Sequence, residues 1–319
     1  MKANYGWLLL LALLAGGCTR SGTEAGEPGA ASDASAQAKT LSQARASVDP
    51  QLTRQQRDGT PVPAPPPGTL DLVRYPAAAG ELAAYLSPRP KESGKHPAII
   101  WISGGDSNTI GDSWTPQARE NDQSAMAFRQ AGVVTMYPSL RGGNDNPGVR
   151  EAFYGEVQDI LAAADYLAKL DFVDPRRIYL GGHSTGGTLV LLVAETDPRF
   201  RGVFSFGPVS DVSGYGEGML PVSLDNESAI RLRSPGPWTA SIHSPVFVFE
   251  GDHDANTDEL LVLRKLNQSP QAQFFVVPRA DHFSTLAPAT ELIAKKIIAD
   301  TGEKTQIAFS ESELAGLLP

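Results

Sequence analysis

Ser184 sits in Gly182-His183-Ser184-Thr185-Gly186, the G-x-S-x-G spacing of a serine held in a strained turn between a strand and a helix. Small residues two positions to either side keep such a turn free of clashes. The strain pushes Oγ clear of the sheet and leaves the N–H of Thr185 at a helix N-terminus, where it can donate to an oxyanion. The context agrees: Arg177-Ile178-Tyr179-Leu180 before the turn is apolar and β-compatible, and Thr188 to Glu195 after it is an apolar helical run.

A serine hydroxyl is a poor nucleophile until an imidazole takes its proton, and the imidazole needs a carboxylate to fix its tautomer. On an elbow of this kind the acid and then the histidine follow the serine, each in a loop at the end of a later strand. That order sorts the histidines. His96 comes before an early strand, His183 is inside the elbow, His243 precedes the acid's strand, and His253 shares a short loop with the candidate acids. His282 stands on its own loop, 28 residues after Asp254. Asp254 is the preferred acid, because three residues past Gly251 the chain has turned off its strand and can point a carboxylate at the next loop. Asp252 on the same loop and Asp211 after the preceding strand are the alternatives.

The elements that must position these residues alternate. Leu70–Tyr75 and Leu82–Leu86 suit an edge hairpin. Pro97–Ile102 is an apolar strand running into Ser103-Gly104-Gly105-Asp106, and a glycine pair there lets backbone N–H groups approach a ligand. A helix around 123–130, a strand over Val133–Tyr137, an amphipathic helix through Val157, Ile160, Leu161, Ala164 and Leu167, and strands at Val203–Phe206, Val246–Phe249 and Phe274–Val277 complete the series. Asn256 with Glu259 three residues on reads as a helix start. Strands and helices in this rhythm predict an α/β fold, a mostly parallel twisted sheet with helices on both faces, and with the elbow and the serine, acid, histidine order it resembles the α/β-hydrolase fold. The segment 211–244, rich in proline and glycine, predicts a cap-like insertion over the site. Arg141, in a long loop, and Tyr215 and Trp238, in the cap, are the candidates for a substrate pocket.

Composition narrows the function classes. At 319 residues, 41% hydrophobic and 20% charged, the chain supports one large domain with a tail. A net charge of -9 argues against nucleic acid as a partner. The five histidines show no ligand spacing with the single cysteine, so neither a metal nor another cofactor is expected. Lys2, the apolar run from Trp7 to Leu14 and Ala15-Gly16-Gly17-Cys18 resemble a bacterial lipoprotein signal. That resemblance implies a signal over 1–17, a lipidated Cys18 as mature N-terminus, and contact with the membrane only through that anchor, at the outer membrane since Thr19 is not aspartate. Residues 18–68, mostly Ala, Ser, Gly, Gln and Pro, predict a disordered tether ahead of a domain over 69–319.

Arg141-Gly142, Val157-x-Asp159, Val173-Asp174-Pro175-Arg176-Arg177-Ile178, the elbow, Ser234-Pro235, Pro245-Val246-Phe247 and Gly251-x-x-Asp254 together resemble the catalytic domain of the prolyl oligopeptidase family, over about residues 97 to 299. Dienelactone hydrolase-like esterases are similar too. The resemblance implies a serine peptidase or carboxylesterase working through an acyl-enzyme, with Ser184 as nucleophile, Asp254 as orienting acid, His282 as general base, and Gly105 and Thr185 nearest the oxyanion. Ser103 and Asp106 depart from the histidine and proline common beside that family's glycine pair. A segment of about 50 residues cannot supply the propeller of the larger members, so a small ester is as well suited as a short peptide. A non-catalytic binding protein on the same scaffold is the rival reading.

Overall fold

The computed structural model describes residues 40–318. The signal-like residues 1–17, Cys18 and the first part of the expected tether lie outside the described residues. Among the described ones there are eight strands: β1 (Asp71–Ala77), β2 (Gly80–Leu86), β3 (His96–Ile102), β4 (Val134–Pro138), β5 (Val173–His183), β6 (Val203–Phe206), β7 (Val246–Gly251) and β8 (Ala272–Val277). They form one sheet in the order β1-β2-β4-β3-β5-β6-β7-β8. β1 and β2 make the antiparallel edge hairpin, β2 pairs antiparallel with β4, and every pairing from β4 to β8 is parallel. Parallel neighbours need crossover connections, which the helices provide, and the result is the α/β-hydrolase fold.

The helices are α1 (Leu41–Arg45), α2 (Met126–Gln130), α3 (Glu156–Lys169), α4 (Thr185–Thr196), α5 (Gly216–Met219), α6 (Glu227–Arg231), α7 (Thr257–Leu266), α8 (Leu286–Ala299) and α9 (Glu311–Ala315). Side chains alternate across the sheet into two cores, as a period of two requires. Ala98, Ile100, Ile102, Val246 and Val248 meet α3, α4 and the cap; Ile99, Trp101, Phe247 and Phe249 meet α2, α8 and α9. On the second face Phe204 stacks on Phe247 at 5.6 Å and Phe206 on Phe249 at 5.1 Å, with Phe309 edge-on to Phe247 and Phe249 at 5.0 Å. Asn256 stands at the start of α7 but its side chain makes no cap bond; Glu259 instead accepts from Ser210 N and Oγ, both at 2.7 Å.

The expected disorder of residues 18–68 does not hold for its second half. Residues 40–68 lie on the domain as a strap. Thr40 and Gln43 close a capping box on α1, and Leu41 is fully buried against α4 and the cap. Arg45 donates to the carbonyls of Phe153 (2.7 Å) and Leu232 (3.0 Å), and the buried Arg233 donates to that of Pro50 (2.7 Å). Thr53 N bonds Pro221 O at 2.8 Å, Asp58 N bonds Gly142 O at 2.9 Å, and Tyr85 reaches Pro63 O at 2.7 Å. Composition describes what a segment can bury by itself; here the partners that offset its ordering entropy come from distant parts of the chain. Among the described residues no helix is long and apolar enough to cross a membrane.

Candidate active site

The elbow forms because β5 runs into α4 with no spacer. Ser184 takes φ 55°, ψ -115°, a conformation costly for a side chain with a Cβ. The flanking glycines are required by contact: a Cβ on Gly182 would lie 2.6 Å from Gly186 O, and one on Gly186 would lie 2.2 Å from Ile102 O. Ser184 N donates to Phe206 O at 2.7 Å, which ties the elbow to the end of β6. Thr185 begins α4, and its Oγ1 donates to Gly105 O at 2.9 Å, joining the elbow to the glycine pair after β3. Gly105 has φ +72°, and space is open where its Cβ would stand.

His282, on the loop between β8 and α8, bonds through Nδ1 to Oε2 of Glu250 at 2.9 Å. Glu250 is the penultimate residue of β7 and is 1% exposed. Its Oε1 accepts from Gly251 N at 2.8 Å and its Oε2 also from Asn256 N at 3.3 Å, so the buried carboxylate is held at both oxygens. This corrects the expected acid. Asp254 is exposed, in a left-handed conformation at φ 42°. Neither alternative substitutes for it: Asp252 pairs with His253 and accepts from Arg279 N at 2.7 Å, and Asp211 accepts from Ser213 N at 2.7 Å. The cause is how closely the β7 and β8 loops meet. A Cβ on Gly251 would lie 2.2 Å from Ala280 O, so the His282 loop rests against the strand end itself and reaches the last buried side chain there. One signal in the sequence does point to Glu250: a charged residue closing the otherwise apolar run Val246–Phe249 must be paired when buried.

The imidazole of His282 is packed beside the elbow. Its ring centroid lies 4.5 Å from that of His183, and a Cβ on Gly207, the residue after Phe206, would stand 2.4 Å from its Cε1. His183 is fully buried, with Nε2 3.0 Å from His282 O and Nδ1 3.0 Å from Gln123 Oε1. Both oxygens only accept, so the single proton of a neutral ring serves one of them, and the pair of contacts ties the elbow to the histidine loop and to the segment at Gln123. Burial, with the neighbouring His282, pushes the pKa of His183 down to about 3, so its ring is neutral. Among the described residues Ser184 Oγ has no hydrogen-bond partner, as is common before substrate aligns a site.

The expected pocket residues divide. A cavity of about 330 Å³ opens beside Thr185 and Gly105. Arg141 is not on its wall: it donates to Asp159 Oδ2 (2.9 Å) and Oδ1 (2.8 Å) and to Glu151 (2.6 Å), a buried network that holds its loop on α3. Trp238 is buried in the core, its Nε1 donating to Arg231 O at 2.8 Å. Tyr215 stands behind the wall, stacked at 5.5 Å on Phe153, which does line the cavity, with its hydroxyl 3.0 Å from Thr188 Oγ1. Among the described residues no cluster of three or more His, Cys, Asp or Glu is arranged to hold a metal ion.

The chain is similar in sequence and fold to several known proteins. Mouse S-formylglutathione hydrolase is 30% identical over 153 residues, covering 40% of this chain and 51% of that protein. The dual function macrocyclase-peptidase POPB of Galerina marginata is 24% identical over 197 residues, covering 55% and 24%. The fold is similar to that of the uncomplexed Pyrococcus horikoshii acylaminoacyl peptidase, with a TM-score of 0.60 at 16% identity over 77% of this chain and 43% of that one. The chain thus spans about half or less of the length of each. Residues 120–297, more than half of the chain and including Ser184, Glu250 and His282, match the model of the prolyl oligopeptidase family, and to that family this chain belongs.

Proposed function

We propose that the chain is a serine hydrolase that cleaves an ester or amide bond through an acyl-enzyme, with Ser184 as nucleophile, His282 as general base and Glu250 as the carboxylate behind it. The observation that carries this reading is the Glu250–His282 bond of 2.9 Å, with the His282 ring 4.5 Å from that of His183, the residue before the strained elbow serine. With Nδ1 committed as donor to Glu250, Nε2 is the nitrogen free to take the Ser184 proton. Oγ then bonds the substrate carbonyl carbon, and the oxyanion is stabilised by the N–H groups of Thr185 and Gly105. Collapse of the tetrahedral intermediate returns the proton to the leaving alcohol or amine, and water repeats the sequence to free the acid. Membership of the prolyl oligopeptidase family supports peptide-like amides as substrates, and the small cavity supports short esters equally.

A fluorophosphonate should label the full-length protein and not Ser184→Ala, and p-nitrophenyl acetate turnover should vanish with the label. Labelling that persists in the variant removes Ser184 from its role. The lipobox-like Ala15-Gly16-Gly17-Cys18 supports a lipid-anchored enzyme of the bacterial envelope. Cys18→Ala should move it from the membrane fraction to the soluble one, and an unchanged distribution would refute the anchor.

A further inference from the structure

The strap does more than cover the core: it contributes to the cavity beside the elbow, where Gln56 forms part of the wall together with Thr185, Gly105, Phe153, Gly218 and Met219. Both banks of that cavity hold it. On the cap side Thr53 N bonds Pro221 O at 2.8 Å, and Arg54 Nη2 donates to the carbonyls of Glu217 and Gly218, the latter at 2.9 Å. Those carbonyls belong to α5, whose unpaired C-terminal acceptors suit a guanidinium. On the other bank Gln56 O accepts from Arg150 N at 3.0 Å and Gly59 N donates to Asn144 O at 2.7 Å. With its amide oxygen turned toward Arg54, Gln56 accepts from Nε at 2.9 Å and Nη2 at 3.2 Å, so one arginine fixes both the cap and the wall residue.

The open-sided space is small, and its wall carries no net charge. Its volume of about 330 Å³ is at the low end for a ligand site. The two charged side chains on its wall, Arg150 and Asp106, bond each other at 2.8 Å, and Ala152, Phe153 and Met219 supply apolar surface. Resting on the hydrolase reading above, we propose that the strap is the specificity-determining wall of this enzyme: Gln56, latched by Arg54 to α5, limits the substrate to a short uncharged acyl group.

The test is a series of p-nitrophenyl esters, acetate, butyrate and octanoate, with full-length wild type, Arg54→Ala and Gln56→Trp. Active serine is counted by fluorophosphonate titration and folding is checked by the melting temperature. Wild type should favour acetate and butyrate over octanoate. Arg54→Ala should raise kcat/KM for octanoate relative to acetate about tenfold, and Gln56→Trp should lower butyrate relative to acetate by a similar factor, the scale on which a pocket senses a methylene. Ratios unmoved in both variants, with full labelling and wild-type melting, overturn the strap's role while leaving the hydrolase intact. A wild-type protein that takes no label overturns the hydrolase reading, and this proposal with it.

Discussion

Replacing Glu250 by glutamine separates the two candidate acids with one atom. The Gly251 N–H donates to Oε1 at 2.8 Å, so a carboxamide at position 250 keeps its oxygen there and turns its NH2 toward His282 Nδ1. Nδ1 must then accept, the ring proton moves to Nε2, and the imidazole faces the serine in the tautomer that cannot take a proton. Loss of a triad acid by amidation costs roughly 10³–10⁴ in kcat, or about 4–5.5 kcal/mol of transition-state stabilisation. Asp254→Asn should stay within about twofold of wild type, because the side chain is exposed and asparagine tolerates the left-handed backbone at φ 42°. The assay is pre-steady-state hydrolysis of p-nitrophenyl acetate with fluorophosphonate labelling rates, on variants whose circular dichroism melts match wild type. An Asp254→Asn loss exceeding that of Glu250→Gln, or a Glu250→Gln enzyme within tenfold of wild type, would refute the assignment.

Gly207→Ala should cut kcat at least 100-fold by driving a methyl to 2.4 Å from His282 Cε1 and 2.7 Å from Glu250 Oε2, while its left-handed φ of +57° costs only about 1–2 kcal/mol of stability; full activity would show that the histidine loop has other places to sit. The depressed pKa of His183, about 3 against 6.5 unfolded, means the unfolded chain binds the extra proton as pH falls, so this stabilisation is complete above about 6.5 and drains toward 3. Urea unfolding of wild type should therefore lose about 1.4 kcal/mol per pH unit relative to His183→Gln between those values, and parallel curves would contradict a buried neutral ring.

The elbow and the sheet are legible in one dimension because their determinants are local: apolar strands, helical periodicity and a glycine-flanked serine are set by neighbours within a few residues. Parallel pairing follows from that alternation, whereas the place of β4 between β2 and β3 is seen only in the folded sheet. What the chain order leaves open is which carboxylate meets His282. Glu250, Asp252 and Asp254 stand within five residues, and the choice falls to the depth at which the β8 loop settles on β7, set by the contact of Gly251 with Ala280. The strap shows the same division. Residues 40–68 have the composition of a linker, but Leu41 and Arg45 dock on groups more than 100 residues away. Arg141 and Trp238 look like pocket residues from their loops, and folding consumes both in a buried ion network and a packed core. Sequence spacing encodes which backbone shapes form; which side chains become each other's solvent is decided only when distant segments close on one another.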